Sequence, residues 1–186
     1  GGEVAMSKLI LGFTGLLASG KGTAAKYLEE KHQAASFRFS TMLRDILNRV
    51  YVPHARDNMI RLSEFLRGAY GEDIMAKTMF KDIAKDTAKV VVIEGIRRLA
   101  DIEQDAPNFV LVEIFAEPKI RYERLIKRGE NPDDNSKTYE QFLADHQRST
   151  ELSILEVIKH ATERVDNNGD MKSLHQQLDD LVKKYT

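Results

Sequence analysis

The chain has 186 residues, and its 28 Lys and Arg against 29 Asp and Glu give a formal net charge of −1. This length suits one domain with its own core, and the balance of charge argues against a general nucleic-acid or membrane-binding surface. The absence of Cys excludes disulfides, thiolate metal sites and Cys nucleophiles. No apolar run approaches the roughly 20 residues of a transmembrane helix, so we expect a cytoplasmic protein.

The folded domain is expected to span residues 6–186, because residues 1–5 ahead of Met6 resemble an artificial leader. In the first half, short apolar runs predict strands, and apolar residues at helical spacing predict helices. Ser40 or Thr41 is expected to cap the second helix. The expected elements are a strand at 8–14, a helix at 23–31, a weaker strand at 34–39, and helices ending near residue 50 and spanning 56–69 and 73–86.

The second half is expected to alternate strands and helices around a polar loop at residues 130–137. Thr138 and Gln141 form a capping-box pattern for one long helix that reaches about His160. The expected elements are strands at 89–93, 109–115 and 163–165, a helix from Pro118 closed by Gly129, a turn at 167–169 and a final amphipathic helix.

This alternation predicts an α/β fold in which helices cover both faces of a five-stranded parallel sheet. No strand is expected between residues 40 and 88, so this stretch is interpreted as a helical subdomain inserted between two strands. The polar segment at about 129–137 is interpreted as a short lid. One domain with these two additions is therefore the expected organisation.

A glycine-rich segment between the first strand and the first helix has the spacing of a Walker A phosphate loop. Such a loop needs backbone N–H groups curled around a phosphate, a helix N-terminus aimed at it and one mobile cation, here Lys21. An ordinary strand-to-helix turn is the alternative. The candidate nucleotide-binding residues are Gly15, Leu16, Leu17, Ala18, Ser19, Gly20, Lys21, Gly22 and Thr23.

Gly22 occupies the position where the strict Walker A pattern has a Ser or Thr that ligates Mg²⁺. The Gly-Lys-Gly-Thr ending that results resembles adenylate kinase and the other nucleoside monophosphate kinases. In that family the Thr contacts nucleotide phosphate and Mg²⁺ is held mostly by phosphates and water. The resemblance implies ATP and Mg²⁺ as ligands, with Thr23 as a candidate metal contact, and it favours a kinase over a GTPase or motor ATPase.

The resemblance continues in two segments that imply an acceptor site. The sequence from Ser40 to Arg44 resembles the family segment whose Arg grips the acceptor phosphate, although two residues are missing. The sequence from Glu94 to Arg97 resembles the strand-ending motif whose acid orients Mg²⁺-bound water and whose Arg contacts phosphate. Glu94 replaces the commoner Asp, and a surface salt bridge is the alternative role for Arg97.

Three arginines, Arg121, Arg124 and Arg128, share one face of the helix that leads into the polar loop. A solvated charged face is the ordinary reading of such a stripe. The arrangement resembles the lid of nucleoside monophosphate kinases, which implies that Arg124 and Arg128 reach the transferring phosphoryl group. Arg121 is left open between the two readings, and Arg148 is a weaker candidate for the same cluster.

The turn formed by Asn167, Asn168 and Gly169 resembles the family loop that lines the purine ring, with Asn168 and Gly169 as the candidate contacts, and a simple helix-start turn is the alternative. The overall pattern resembles an archaeal group of P-loop kinases related to adenylate kinase and dephospho-CoA kinase. These resemblances imply ATP-dependent phosphoryl transfer to a small phosphate-bearing acceptor, expected to be a nucleoside monophosphate. No nucleic-acid or membrane partner is expected.

Two alternatives remain open. A hydroxyl acceptor, as in dephospho-CoA kinase, would gain from a carboxylate at the end of the second strand, but no acid follows that strand until Asp45. A nucleotide-binding regulator or assembly factor that hydrolyses ATP slowly would have no need of a second phosphate pocket. The acceptor arginines therefore separate a kinase from such a switch.

Overall fold

The computed structural model describes residues 8–102, 104–129 and 136–186. Its centre is a five-stranded sheet of order β2-β3-β1-β4-β5 in which each neighbouring pair is parallel. The five strands are β1 (Leu9–Thr14), β2 (Ala35–Arg38), β3 (Val90–Glu94), β4 (Phe109–Phe115) and β5 (Glu163–Asp166). The predicted α/β fold with a five-stranded parallel sheet is confirmed.

Helices cover both faces of this sheet, which explains why its central strands are apolar throughout. Every residue of β1 and β3 is buried. The eight helices of the described residues are α1 (Lys21–His32), α2 (Phe39–Arg49), α3 (Arg56–Tyr70), α4 (Ile74–Lys85), α5 (Pro118–Arg128), α6 (Tyr139–Asp145), α7 (Ser149–Ile158) and α8 (Met171–Tyr185). None of them has both the length and the apolar composition needed to cross a bilayer.

The core is divided by the sheet into two clusters. One face packs against α1 and α8 through residues such as Leu28, Leu174 and Leu178, which are at most 1% exposed. The other face packs against α4 and α7 through residues such as Met79 and Val157. The interval between β2 and β3 contains only the helices α2, α3 and α4 in the described chain, as the hydrophobic pattern predicts.

Two sequence-based expectations about helix ends were wrong. Helix α2 begins at Phe39 and its N-cap is Arg38, so neither Ser40 nor Thr41 caps it. The helix predicted to run unbroken to His160 is two helices, because the backbone turns between α6 and α7. The capping box of Thr138 and Gln141 does form at the start of α6, with Thr138 Oγ1 accepting from Gln141 N at 3.1 Å.

The fold places the candidate residues at one edge of the sheet. In a parallel sheet, the segments that follow the strands meet at the carboxyl edge, where ligands of such folds bind. The phosphate loop follows the central strand β1, and Thr14 Oγ1 at the end of that strand donates to Ile96 O after β3 at 3.0 Å. Of the predicted lid, residues 130–135 lie outside the described residues.

Candidate active site

The phosphate loop, residues 15–20, is held in shape by hydrogen bonds to its backbone carbonyls. The donors are the side chain of Lys21, which directly follows the loop, and two side chains from distant parts of the chain. The pairs are Lys21 Nζ with Gly15 O at 2.6 Å and Leu16 O at 3.2 Å, Arg121 Nη1 with Leu17 O at 3.2 Å, and Asn167 Nδ2 with Ser19 O at 2.8 Å. The first N–H groups of α1 have no partner within the helix and are therefore available for an anion.

Three residues of the loop, Gly15, Ala18 and Gly20, have a positive φ. Gly20, the N-cap of α1, has φ +103°, and a Cβ at this position would lie 2.2 Å from Asn167 Nδ2. Glycine is therefore required at position 20 for its backbone angle and for the close approach of Asn167. Ala18 has φ +65° despite its side chain, which packs against Leu125 and Phe142.

The ammonium group of Lys21 is at the centre of the site. Burial lowers its pKa from 10.5 to about 8, against the opposing effect of the Glu151 carboxylate, while the positive charges of Arg97, Arg121 and Arg128 lower it further. These effects place the three arginines within electrostatic range of Lys21. Because burial and the neighbouring positive charges disfavour the protonated ammonium of Lys21, an anion bound beside it would stabilise this charge.

Two cavities meet at the loop, and Lys21, Gly95 and Arg97 line both of them. The first, which we call the small cavity, has a volume of about 230 Å³. Its wall also carries Lys137, Arg148, Asp145 and Glu151. Asp145 pairs with Lys137 at 2.6 Å and with Arg148 at 3.2 Å, and Leu17 N makes a long 3.5 Å contact to Glu151 Oε2.

The second, which we call the large cavity, has a volume of about 740 Å³ and lies between the sheet edge and the inserted helices α2, α3 and α4. Its wall combines an apolar part with charges of both signs. The apolar members are Phe39, Leu43, Met59, Ile60 and Met75, and the charged members besides Lys21 are Arg38, Arg67, Arg97, Arg98, Glu64, Glu72, Glu94 and Asp101. A mixed lining of this kind suits a small molecule that is partly apolar and partly ionic.

Glu94 is buried at the end of β3, with 9% exposure, and is one of the predicted site residues that the structure brings to the loop. Its Oε2 accepts from Arg38 Nε at 2.7 Å and from Ser36 Oγ at 3.1 Å. Its Oε1 lies 3.8 Å from the position that a Cβ of Gly22 would occupy. One carboxylate oxygen is thus anchored to β2, and the other faces the start of α1.

The described residues contain no group of three or more His, Asp or Glu that could hold a metal ion by themselves. A protein of this fold is expected to hold Mg²⁺ chiefly through substrate phosphates and water, with one or two carboxylates in support. Glu94 fits that requirement, since its Oε1 faces the loop. Thr23 lies exposed in the first turn of α1 and lines neither cavity.

Arg121, left open by the sequence, is buried beneath the loop with 2% exposure. Besides Leu17 O, its guanidinium donates to Ala116 O at 2.9 Å and contacts His146 Nε2 at 2.9 Å. His146 Nδ1 lies 2.9 Å from Phe142 O, which can only accept, so Nδ1 carries the hydrogen and Nε2 accepts from Arg121. These contacts indicate that Arg121 supports the phosphate loop. Arg124, on the same face of α5, contacts Asn167 instead.

Arg124 and Arg128 lie farther along α5. Arg124 Nη2 donates to Asn167 O at 2.5 Å, and its buried Nη1 has no hydrogen-bond partner among the described residues. Arg128 is exposed at the last turn of α5, next to the undescribed lid residues, and it acts electrostatically on Lys21. The proposed contacts of both arginines with a phosphoryl group stay predictions.

The remaining sequence candidates are not brought into the cavities. Arg44 lies on the exposed side of α2, where its guanidinium donates to Ser40 Oγ at 3.1 Å. Asp45 is also exposed there and lines neither cavity. In the turn after β5, Asn168 Oδ1 accepts from Glu117 N at 2.7 Å, whereas Gly169 is exposed.

Sequence reasoning missed several residues of the site. The sequence identifies the turn that contains Asn167 but not the role of this buried side chain, which donates to Ser19 O of the phosphate loop. Arg38 is paired with Glu94 in the parallel register of β2 and β3, a signal that appears only once the strand order is known. Asp101, whose pKa burial raises to about 6, accepts from the N–H groups of Arg97 and Arg98 at 3.2 Å each.

Comparison with known proteins decides the family. A family model described as an AAA domain matches residues 11–145, more than half of the chain. A UPF0200 protein of Sulfurisphaera tokodaii is 31% identical over 180 residues, which cover 94% of this chain and 96% of that protein. The chain belongs to the UPF0200 family. Another UPF0200 relative, from Methanosarcina acetivorans, is 24% identical over 180 residues and covers 95% of both chains.

Solved structures resemble this UPF0200 chain over almost its whole length. The crystal structure of TT1252 from Thermus thermophilus has a TM-score of 0.62 at 20% identity and covers 97% of this chain and 99% of its own. A shikimate kinase from Bacteroides thetaiotaomicron has a TM-score of 0.59 at 16% identity and covers 95% and 97%. At these identities the likeness shows the P-loop kinase fold alone.

Proposed function

We propose that the protein transfers a phosphoryl group from ATP to a small phosphate-bearing acceptor, with a nucleoside monophosphate as the expected class. The observation that carries this proposal is the sharing of Lys21 and Arg97 by the two cavities. Phosphoryl transfer asks the protein for alignment and charge neutralisation more than for covalent chemistry. Two cavities that meet at two cations supply both requirements.

The chain's own groups have separate tasks in this proposal. The N–H groups of the loop and Lys21 hold the donor phosphates, and Mg²⁺, when bound, neutralises phosphate charge beside Glu94. Arg97 makes no side-chain hydrogen bond or ion pair with any described residue, so its guanidinium is available to a phosphate between the two substrates. Arg128, whose charge acts on Lys21, and Arg148, which lines the small cavity, would neutralise the transferring group.

The experiment is an ATP turnover assay with Mg²⁺ across matched acceptors, comparing nucleoside monophosphates with the corresponding nucleosides and with dephospho-CoA. We expect phosphorylation of at least one monophosphate and none of its nucleoside. Lys21→Ala is the control and should lose turnover by several orders of magnitude while remaining folded. ATP hydrolysis that no acceptor stimulates would favour the nucleotide-dependent regulator instead.

A hydroxyl acceptor remains the second candidate because the large cavity contains carboxylates that the sequence did not place there. Burial raises the pKa of Asp101 to about 6, so its carboxylate is basic enough near neutral pH to take a proton from a hydroxyl. Phosphorylation of a nucleoside or of dephospho-CoA, abolished by Asp101→Asn and unaffected by Asp45→Asn, would establish this candidate. Both variants leave Lys21 and the phosphate loop unchanged.

A further inference from the structure

Arg38, at the end of β2, contacts the carboxylate of Glu94, and both residues line the large cavity. The two residues are register partners in the parallel pairing of β2 with β3. Ser36 lies two residues earlier on β2 and therefore on the same face of the strand. The register thus brings a guanidinium and a hydroxyl to one oxygen of Glu94, at 2.7 Å and 3.1 Å.

These two contacts fix the direction of the carboxylate. With Oε2 engaged by Arg38 and Ser36, Oε1 is the oxygen that faces the start of α1, 3.8 Å from the Cβ position of Gly22. A carboxylate whose rotation is restrained by partners behind it presents a defined oxygen to a metal-bound water.

The other side of Arg38 faces the large cavity. A guanidinium has five N–H donors in a planar fork, and the bond to Glu94 uses Nε alone. The side chain is 60% exposed and lines the cavity wall. Its two terminal nitrogens make no hydrogen bond to any residue in the part of the chain that the structure describes. They form a planar pair of donors that matches a phosphate or carboxylate.

We propose that Arg38 has two roles: it positions Glu94 for the metal-bound water, and it binds the anionic group of the acceptor in the large cavity. This inference rests on the proposed phosphoryl transfer and names a residue that selects for an anionic acceptor. It also couples the two substrates, since an anion drawn to the terminal nitrogens acts on the same planar group that orients Glu94.

The two roles can be separated by comparing Arg38→Met with Ser36→Ala. The first measurement is the affinity for Mn²⁺, used in place of Mg²⁺, in the presence of a non-hydrolysable ATP analogue and followed by electron paramagnetic resonance. Both variants remove a partner of Glu94, so both are expected to weaken Mn²⁺ binding, Arg38→Met by about tenfold or more. Arg49→Met, the same change at an exposed arginine of α2, is the control and should leave the affinity unchanged.

The second measurement is the binding of nucleoside monophosphates by titration calorimetry, together with the acceptor KM and kcat. Arg38→Met is expected to weaken monophosphate binding by about tenfold or more, because a hydrogen-bonded charge is lost. Ser36→Ala should leave it unchanged, and Arg38→Lys should recover part of the acceptor affinity through its charge but little of the Mn²⁺ affinity.

The outcomes distinguish this inference from the proposed function. If wild-type protein binds no monophosphate, the proposed acceptor class fails, and the Mn²⁺ measurement alone decides whether Arg38 positions Glu94. If wild-type protein binds a monophosphate and Arg38→Met binds it equally well, the acceptor role is wrong. Unchanged Mn²⁺ affinity in both Arg38→Met and Ser36→Ala would overturn the positioning role.

Discussion

The charge of Lys21 depends on its surroundings more strongly than that of a surface lysine. Burial lowers its pKa to about 8, and its ammonium group donates to two carbonyls of its own loop. A phosphate nearby would raise this pKa again, because an opposite charge favours the protonated form. Nucleotide binding should therefore be linked to proton uptake once the pH exceeds about 8.

We predict that affinity for a non-hydrolysable ATP analogue is nearly constant below pH 8 and falls above it, by up to about tenfold per pH unit. Titration calorimetry from about pH 7 to about pH 9.5 measures this, and the proton uptake is read from buffers of different ionisation enthalpy. Lys21→Arg keeps its charge over this range and should show a flat profile. An equally steep fall in Lys21→Arg would assign the dependence to another group.

The same pKa fixes the sign of a stability effect. The pKa of Lys21 is lower in the folded chain than its ordinary 10.5, so between about 8 and 10.5 the unfolded chain binds more protons. Stability gains from this group as the pH rises through that window, because the buried ammonium is relieved of its charge. A lysine whose burial disfavours its charged form in this way marks a site that is suited to an anion.

The helix that carries Arg121 shows where inference from the sequence succeeds and where it fails. The bounds of α5 follow from Pro118 and Gly129, which are local signals. The same helix spacing groups Arg121 with Arg124 and Arg128, but it gives no indication that Arg121 is buried under the loop. That fact depends on the packing of α6 beside α5, which brings His146, at the end of α6, to within 2.9 Å of the Arg121 guanidinium.

For the same reason, the central strands could be predicted from the sequence, whereas the hydrogen bond from Asn167 to the phosphate loop could not. Residues such as Val91 and Ile93 are apolar because both sheet faces are covered, and this shows in the sequence itself. Asn167 meets Ser19 across 148 positions of the chain, and only the strand order brings them together. Glu94 was found because its motif is local, whereas its partner Arg38 was not.

We predict that Arg121→Met lowers the free energy of unfolding by about 2 to 4 kcal/mol, because Ala116 O and Leu17 O lose buried donors. Urea unfolding followed by circular dichroism measures this change. The matched control is Lys127→Met on the exposed side of α5, expected within about 0.5 kcal/mol of wild type. Nucleotide affinity should also fall in Arg121→Met, and an unchanged affinity would show that the loop keeps its shape without this support.

At the scale of the whole molecule, α3 differs from the helices that pack on the sheet, because it contributes no buried residue to the core. No residue of α3 is buried, and Phe65 and Ile60 on it are 62% and 44% exposed. Yet Met59, Ile60 and Arg67 of this helix line the large cavity. A segment with few buried contacts opens readily, so its stability depends on what fills the cavity beside it.

We predict that a dinucleoside pentaphosphate, which is long enough to span the proposed donor and acceptor sites, slows amide hydrogen exchange in α3, whereas ADP alone does not. Hydrogen–deuterium exchange with mass spectrometry measures this difference, and α8, packed on the opposite sheet face, is the internal reference. Equal slowing of α3 by ADP would contradict an acceptor role for the large cavity. Slowing confined to the phosphate loop would favour a protein that only binds nucleotide.

The exposure of α3 has a consequence for how the family can diversify. No residue of α3 is fully buried, so a substitution at its exposed positions costs little in folding free energy, and cavity-lining positions such as Ile60 can vary while the sheet and the phosphate loop are held constant. Gly20 and Asn167 cannot vary in this way, because a Cβ at position 20 would clash with the side chain of Asn167. On the proposed function, substitutions at these positions would change acceptor preference without a large loss of stability. A saturation library at Met59, Ile60 and Ser63 is thus a natural starting point for redirecting the acceptor.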